Sequence, residues 1–440
     1  VCGVASLRHS AGHLGQGSCA ICKTSEETMK VVIIMVSVLA GGLCLPGPHR
    51  PQSFSSTLQK MHLHTSVSSD WGANLTIPEL IEAFGYPVEV HHVTTEDGYI
   101  LELHRIPHGV SGPSSGRPPI FLHHGLLSSS ADWVMNTADE ALAYILADAG
   151  YDVWLTNVRG NIYSRNHLQM SPDDIHFWAF SWDEMAVYDA AAGIDYVLET
   201  TGESSLYYVG FSMGTTIFFA LMSDKPEYND KVKVMVALAP VTYLEHAKGP
   251  IVELAQYSND LDTVLSLLGV GEFTLSSETM DYLAENYCEV GMDSAEICYN
   301  VIFLICGPDP GELNEEFFPN ILEHYPGGTS VHTVNHYGQL IVSGNFTKYN
   351  YGLIGNLNHY GQSDPPLYDI SQVTAPVGLF WADNDWLGDP TDVARLAAEL
   401  PNVVLNHEVQ LPEFNHLDFV WAIHANEYVY RHVLELLSKY

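Results

Sequence analysis

A chain of 440 residues holds one large domain with a substantial insertion, or two domains. With 46% hydrophobic residues it can bury a core, which excludes the disordered class. Its 53 Asp and Glu against 17 Lys and Arg give a formal charge of -36, which excludes binding to a phosphate backbone and disfavours anionic membrane surfaces.

Residue 1 is Val and the first Met is Met29. Met29-Lys30 precedes an apolar run, Val31 to Leu45, interrupted by Ser37 and Gly41-Gly42 and followed by Pro46 and Pro48. A positive start, a short apolar stretch and small residues with Pro at its end predict a secretory signal peptide over 29–47. The run is shorter than the ~20 residues that span a bilayer. Residues 1–28 then read as upstream translated sequence, so Cys19-x-x-Cys22 predicts neither a redox nor a metal site. Cys288, Cys298 and Cys306 remain in the mature chain. In an oxidising compartment the close pair Cys288 and Cys298 is the expected disulfide, with Cys306 buried beside the apolar run Val301 to Ile305. The sequons at Asn74 and Asn345 fit the same route as expected glycosylation sites.

Tyr86 to Val93 and Tyr99 to Ile106 are β-rich and joined by Glu96-Asp97-Gly98, a hairpin-turn signal. Pro119 to His123 reads as a buried parallel strand, Ala141 to Asp148 as a helix closed by Gly150, and Tyr151 to Leu155 as the next strand. Phe180 to Glu199 has helical periodicity, and Leu206 to Val209 and Val232 to Leu238 are further strands. This alternation predicts a mostly parallel sheet with helices on both faces. From about 242 to 372 the rhythm stops and the chain reads as helical and irregular. It returns at Pro376 to Phe380. We therefore expect a core in two parts, 72–241 and 373–440, separated by a mainly helical insertion over 242–372.

Gly210-Phe211-Ser212-Met213-Gly214 is a G-x-S-x-G motif entered by the β-rich Leu206 to Val209 and left by the helical Thr215 to Met222. In that setting the serine occupies a strained strand-to-helix turn and projects its hydroxyl beside a helix N-terminus. A serine nucleophile needs a base and an acid that orients the base, in the chain order Ser, Asp or Glu, His. After the strand Pro376 to Phe380 comes a loop with two candidate carboxylates, Asp383 and Asp385, which spacing does not separate. His416 follows the last strand, Val403 to Val409, in the loop ahead of a helix beginning near Leu417. The oxyanion hole needs two backbone N–H groups, expected from Met213 and from Leu126 in the loop His123-His124-Gly125-Leu126-Leu127. Nothing accompanies His123-His124 with metal-ligand spacing, so neither metal nor cofactor is expected.

Further stretches carry a resemblance: His124 to Trp133, Leu146 to Leu155, Asn157-Val158-Arg159-Gly160-Asn161, Phe177 to Met185, Ala237 to Val241, Cys306-Gly307 and Asn415 to Phe419. Over residues 72–438 the chain resembles the acid lipase family of gastric and lysosomal acid lipases and their arthropod secreted relatives. The resemblance implies an α/β-hydrolase fold with a cap and lid over 242–372. It implies Ser212 as nucleophile, Asp385 as acid and His416 as base, with Leu126 and Met213 as oxyanion donors. The pair Cys288 and Cys298 matches the family's cap disulfide. The family's gastric and lysosomal members carry G-H-S-Q-G where this chain has Phe211 and Met213. Position 213 acts through its backbone, so the change bears on fine specificity.

The expected activity is hydrolysis of carboxylic esters of lipids through an acyl-enzyme, at an oil or membrane-lipid interface, by a secreted or lysosomal protein. An esterase for small soluble esters, a non-catalytic lipid carrier and an acyl transferase are the alternatives. The excess of acid would keep the surface from gaining positive charge in a mildly acidic compartment, or serve solubility in a digestive fluid.

Overall fold

The structure, a computed structural model, describes residues 75–258, 265, 269–273, 306–309, 311–314 and 317–440. The expected signal segment, the upstream residues, Asn74 and the pair Cys288 and Cys298 lie outside the described residues.

The chain enters through α1 (Ile77–Ala83), whose N-cap Thr76 and Glu79 exchange hydrogen bonds in a capping box. An antiparallel hairpin follows, β1 (Glu89–Thr94) and β2 (Tyr99–Ile106), with Gly98 at φ +99° in its turn. Next come β3 (Pro119–His123), α2 (Leu142–Asp148), β4 (Asp152–Leu155) and the two-residue β5 (Asn166–His167). Helix α3 (Trp182–Glu184) runs on through a π-helical stretch (Met185–Ala190) into α4 (Ala191–Thr201). Then follow β6 (Leu206–Phe211), α5 (Met213–Asp224) and β7 (Val232–Leu238).

The described part of 242–372 holds α6 (Pro250–Ala255), β8 (Glu272–Phe273), α7 (Phe318–His324), β9 (Thr329–Ser330), α8 (Val331–Ser343) and α9 (Gly352–Tyr360). Strands β8 and β9 pair with each other and stay apart from the main sheet. The chain closes with β10 (Val377–Trp381), α10 (Pro390–Glu399), β11 (Val403–Glu408), α11 (Asp418–Trp421) and α12 (Arg431–Leu437).

The main sheet has the order β1-β2-β4-β3-β6-β7-β10-β11, with β5 paired to β2. Pairings from β4 to β11 are all parallel, and only the β1–β2, β2–β4 and β2–β5 pairings are antiparallel. Strands β3, β4 and β6 are buried along their whole length, as strands covered on both faces must be. Successive residues serve opposite cores. Leu122, Leu155 and Val209 pack with α1, α2 and α12, whereas Phe121, Trp154 and Tyr208 pack with α3, α4, α5 and α10.

Helix α8 joins the second of these cores. The His336 ring stacks on Trp182 of α3 at 3.8 Å and 10°, while its two nitrogens meet the Ser181 hydroxyl at 3.1 Å and the Thr347 carbonyl at 2.9 Å. Burial pushes His336 down to about 3, far below an ordinary histidine. Its neutral ring therefore contributes stability that is whole above pH ~6.5 and is lost as pH falls through that value toward 3. Replacing His336 with Gln removes this proton-linked loss. By urea denaturation, the destabilisation caused by His336→Gln is expected to be smaller at pH 5 than at pH 7, by up to about 2 kcal/mol. An equal effect at the two pH values would show that the ring is not held neutral.

Candidate active site

The chain runs β3, then β4 on one side, and then crosses back to β6 on the other, so the ends of β3 and β6 form a switch point where loops leave in opposite directions. Ser212 sits there, between β6 and α5, at φ +50° and ψ -112°. Two residues before it and two residues after it, at Gly210 and Gly214, there is no room for a side chain. A Cβ on Gly210 would lie 2.7 Å from the backbone of Gly214, and one on Gly214 would lie 2.1 Å from the carbonyl oxygen of His123. The strained residue is held by its own backbone: Ser212 N donates to Leu238 O at 3.1 Å, and Ser212 O accepts from Thr215 N at 2.8 Å and Thr215 Oγ1 at 2.6 Å.

Two loops from the far end of the chain meet the serine. His416 Nε2 lies 2.8 Å from Ser212 Oγ, and His416 Nδ1 lies 2.9 and 2.8 Å from the two carboxylate oxygens of Asp385. With Nδ1–H donating to a carboxylate, Nε2 is left as the acceptor for the serine proton. Asp385 is fully buried and also accepts the N–H groups of Leu387 at 2.9 Å and Gly388 at 2.7 Å. Asp383, its rival in the sequence, is exposed. The three groups thus form one continuous hydrogen-bonded chain, buried and shielded from water.

Residues that motif reading passed over hold the His416 loop in place. Asn415 Nδ2 donates to Gly307 O at 2.8 Å, Asn415 N donates to Asp418 at 2.6 Å, and His416 N donates to Cys306 O at 3.3 Å. Cys306 keeps a buried free thiol, pushed well up by burial and by the nearby Asp385 and Asp418 charges. Its contribution to this loop is its backbone carbonyl.

The loop after β3 lies against the serine, since a Cβ on Gly125 would approach Ser212 Cβ to 3.5 Å. The amides of Leu126 and Met213 donate to no group among the described residues. Met213 opens α5, where first-turn N–H groups have no intrahelical acceptor and the helix dipole favours negative charge. His124 is used structurally: its Nε2 accepts from Val158 N at 3.2 Å, so Nδ1 donates to Gly125 O at 2.7 Å. Burial pushes His123 and His124 down to about 3 and about 4, which keeps both neutral. No cluster of three or more His, Cys, Asp or Glu able to hold a metal ion occurs among the described residues.

Asp132, deep beneath the same loop, was legible only as part of a resembling stretch. Burial raises its carboxyl to about 6, against the opposing pull of the Gly125 N–H, the Ser128 hydroxyl and the nearby His416. Chemically the arrangement offers a polarised hydroxyl, a relay for its proton and free amides beside it, which is what acyl transfer through a covalent intermediate requires.

Two family models match the chain: a partial α/β-hydrolase lipase region over residues 77–137 and the α/β hydrolase fold over residues 118–275. Lipase lipl-1 of Caenorhabditis elegans is 44% identical over 370 residues, covering 82% of this chain and 91% of that protein. Gastric triacylglycerol lipase of Homo sapiens is 41% identical over 368 residues, covering 83% and 91%. Lipase 1 of Drosophila melanogaster is 42% identical over 369 residues, covering 83% and 80%.

Because Gly214 faces backbone rather than a movable side chain, Gly214→Ala must push α5 away from β3. It is expected to cost about 1–3 kcal/mol of stability, the usual penalty of overpacking, and to lower ester turnover at temperatures where the variant is still folded. Thermal denaturation and activity measured on the same preparation check this; an unchanged melting temperature with full activity would refute the close approach.

Proposed function

The chain belongs to the family of α/β-hydrolase lipases that includes gastric triacylglycerol lipase, and on that premise we propose that it hydrolyses carboxylic esters of lipids with Ser212 as nucleophile. The observation that carries this reading is the unbroken hydrogen-bonded chain from Ser212 through His416 to Asp385. His416 Nε2 takes the hydroxyl proton as Ser212 Oγ attacks the ester carbonyl, and Asp385 stabilises the imidazolium that forms. The carbonyl oxygen becomes an oxyanion held by the N–H groups of Leu126 and Met213. His416 returns the proton to the leaving alkoxide, and an acyl-Ser212 intermediate remains. Water, deprotonated by His416, then releases the fatty acid and restores the serine.

Segment 242–372, which contributes α7 and α8, would act as the cap over an acyl-binding cleft. The Met29 to Leu45 run and the sequons at Asn74 and Asn345 support the secretory route, with Asn345 exposed and available to a glycan. Among the described residues no helix is long and apolar enough to cross a membrane.

Kinetics on the purified mature chain test the assignment. Ser212→Ala should reduce turnover of an emulsified triacylglycerol to background, and Asp385→Asn should lower kcat by about 10⁴-fold by leaving the imidazole in the wrong tautomer. Asp383→Asn should leave it unchanged. Substantial turnover by Ser212→Ala would overturn the mechanism. A wild-type enzyme that prefers short soluble esters to triacylglycerol and steryl ester emulsions would place the chain with the carboxylesterases instead.

A further inference from the structure

The oxyanion loop is braced by a carboxylate that takes no part in the Ser212–His416–Asp385 chain. Asp132 is 2% exposed; one of its oxygens accepts the Gly125 N–H at 2.9 Å and the other the Ser128 hydroxyl at 2.5 Å. Those two bonds span the turn that contains Leu126 and Leu127. The turn needs a brace, because Leu127 adopts φ +59°, a left-handed conformation that costs a branched-chain residue of this kind about 1–3 kcal/mol. Other groups hold the carbonyl side of the same turn: Tyr325 Oη donates to Leu126 O at 3.2 Å and Gly327 N donates to Leu127 O at 2.6 Å. With the Leu126 and Leu127 carbonyls engaged and the turn tied at Gly125 and Ser128 to one carboxylate, the backbone on either side of the Leu126 amide is held by hydrogen bonds. Directional hydrogen bonds to a developing oxyanion lose their value when the donor is misplaced by an ångström.

We propose that Asp132 is a positioning residue for the reaction, tying Gly125 to Ser128 so that the Leu126 N–H is held ready for the oxyanion formed at Ser212. The assignment rests on Ser212 being the nucleophile. Asp132 touches neither substrate nor serine and acts through the loop backbone, so its loss should raise the barrier of the chemical step and leave ground-state binding alone. The role is one of hydrogen-bond acceptance, not charge. Asparagine therefore substitutes for it: its carbonyl oxygen can accept the Gly125 N–H, while its amide donates to Ser128 Oγ.

The test uses the full-length enzyme and its Asp132→Ala, Asp132→Asn, Ser128→Ala and Ser212→Ala variants. Two readouts are needed: steady-state hydrolysis of a short-chain p-nitrophenyl ester, and the rate of Ser212 phosphonylation by an alkyl p-nitrophenyl phosphonate, whose P=O oxygen must enter the same hole. Asp132→Ala is expected to lose about 10²-fold in kcat with KM within about 2-fold, and phosphonylation should slow in parallel. Asp132→Asn should recover most of both rates, and Ser128→Ala should show a smaller loss of the same kind, about 10-fold. Full kcat in folded Asp132→Ala, or an Asp132→Asn variant as impaired as the alanine, overturns the proposal. If Asp132→Ala does not fold, Ser128→Ala decides: unchanged turnover and phosphonylation there overturn it equally. Turnover surviving in Ser212→Ala brings down the underlying hydrolase reading, and the Asp132 assignment with it. A dead Ser212→Ala beside a fully active Asp132→Ala refutes the positioning role alone.

Discussion

Helix α5 leaves strand β6 with no space for a side chain at either glycine of the turn, and the geometry of the candidate active site depends on that contact. Gly214 lets the first turn of α5 rest on the His123 carbonyl at the end of β3, and Gly210 lets β6 pass beneath Gly214. A helix so close can begin at Ser212 only if the serine takes up φ +50°, a conformation that is unfavourable by itself. The surrounding sheet makes it persist. Ser212 N is bonded to Leu238 O on β7, and Ala239, itself at φ +48°, donates to Phe380 O on β10. Neighbouring strands thus impose the strain and repeat it one strand further along.

From this follows where everything else must be. Parallel strands put all their C-terminal ends on one edge, so loops far apart in sequence arrive together without any long excursion. Asp385 leaves β10, His416 follows β11, Ser212 follows β6, and Gly125 with Leu126 follows β3. Each loop is then fixed by bonds to another loop as well as to its own strand. The Cys306 carbonyl accepts from both Trp386 and His416, coupling the Asp385 loop to the His416 loop, and Tyr325 couples the end of α7 to the Gly125–Ser128 turn. Burial removes competing water from this assembly, so each bond inside it is stronger than the same bond at the surface.

Much of this was legible in the sequence because its signals are local. The strands Pro119–His123 and Val232–Leu238 could be bounded from their composition alone, since fully buried parallel strands are continuous apolar runs. The G-x-S-x-G motif announces its own turn. The choice between Asp383 and Asp385 was not legible from spacing, because both lie in one short loop, and what separates them is direction: one faces solvent and the other the imidazole. Helix α1 carried a readable sign in Thr76-x-x-Glu79, but that threonine also completes a sequon, and the competing meaning hid the cap. Asp132 had no signature. Its partners, Gly125 and Ser128, are defined by a turn whose φ values no residue type dictates. The Trp182–His336 stack was equally silent, since it joins segments about 150 residues apart in sequence.

The formal charge of -36 also takes on a different meaning in three dimensions. Composition counts every carboxylate as surface, yet Asp132, Asp183, Asp189, Asp385, Asp389, Asp392 and Asp418 are buried. Each of them accepts at least one backbone N–H: from Gly125, Tyr349, Arg159, Leu387 and Gly388, Thr391, His246 and Asn415 respectively. Irregular loops crowd the C-terminal edge of the sheet, and a loop brought out of water must find acceptors for amides that no ladder or helix supplies. A short aspartate reaches them at little entropic cost. Part of the acidic excess is therefore internal bracing, at Asp132, Asp385 and Asp418 for the loops around Ser212 and His416 and at Asp183, Asp189 and Asp392 for segments elsewhere, and only the remainder acts on solubility or on the approach of charged partners.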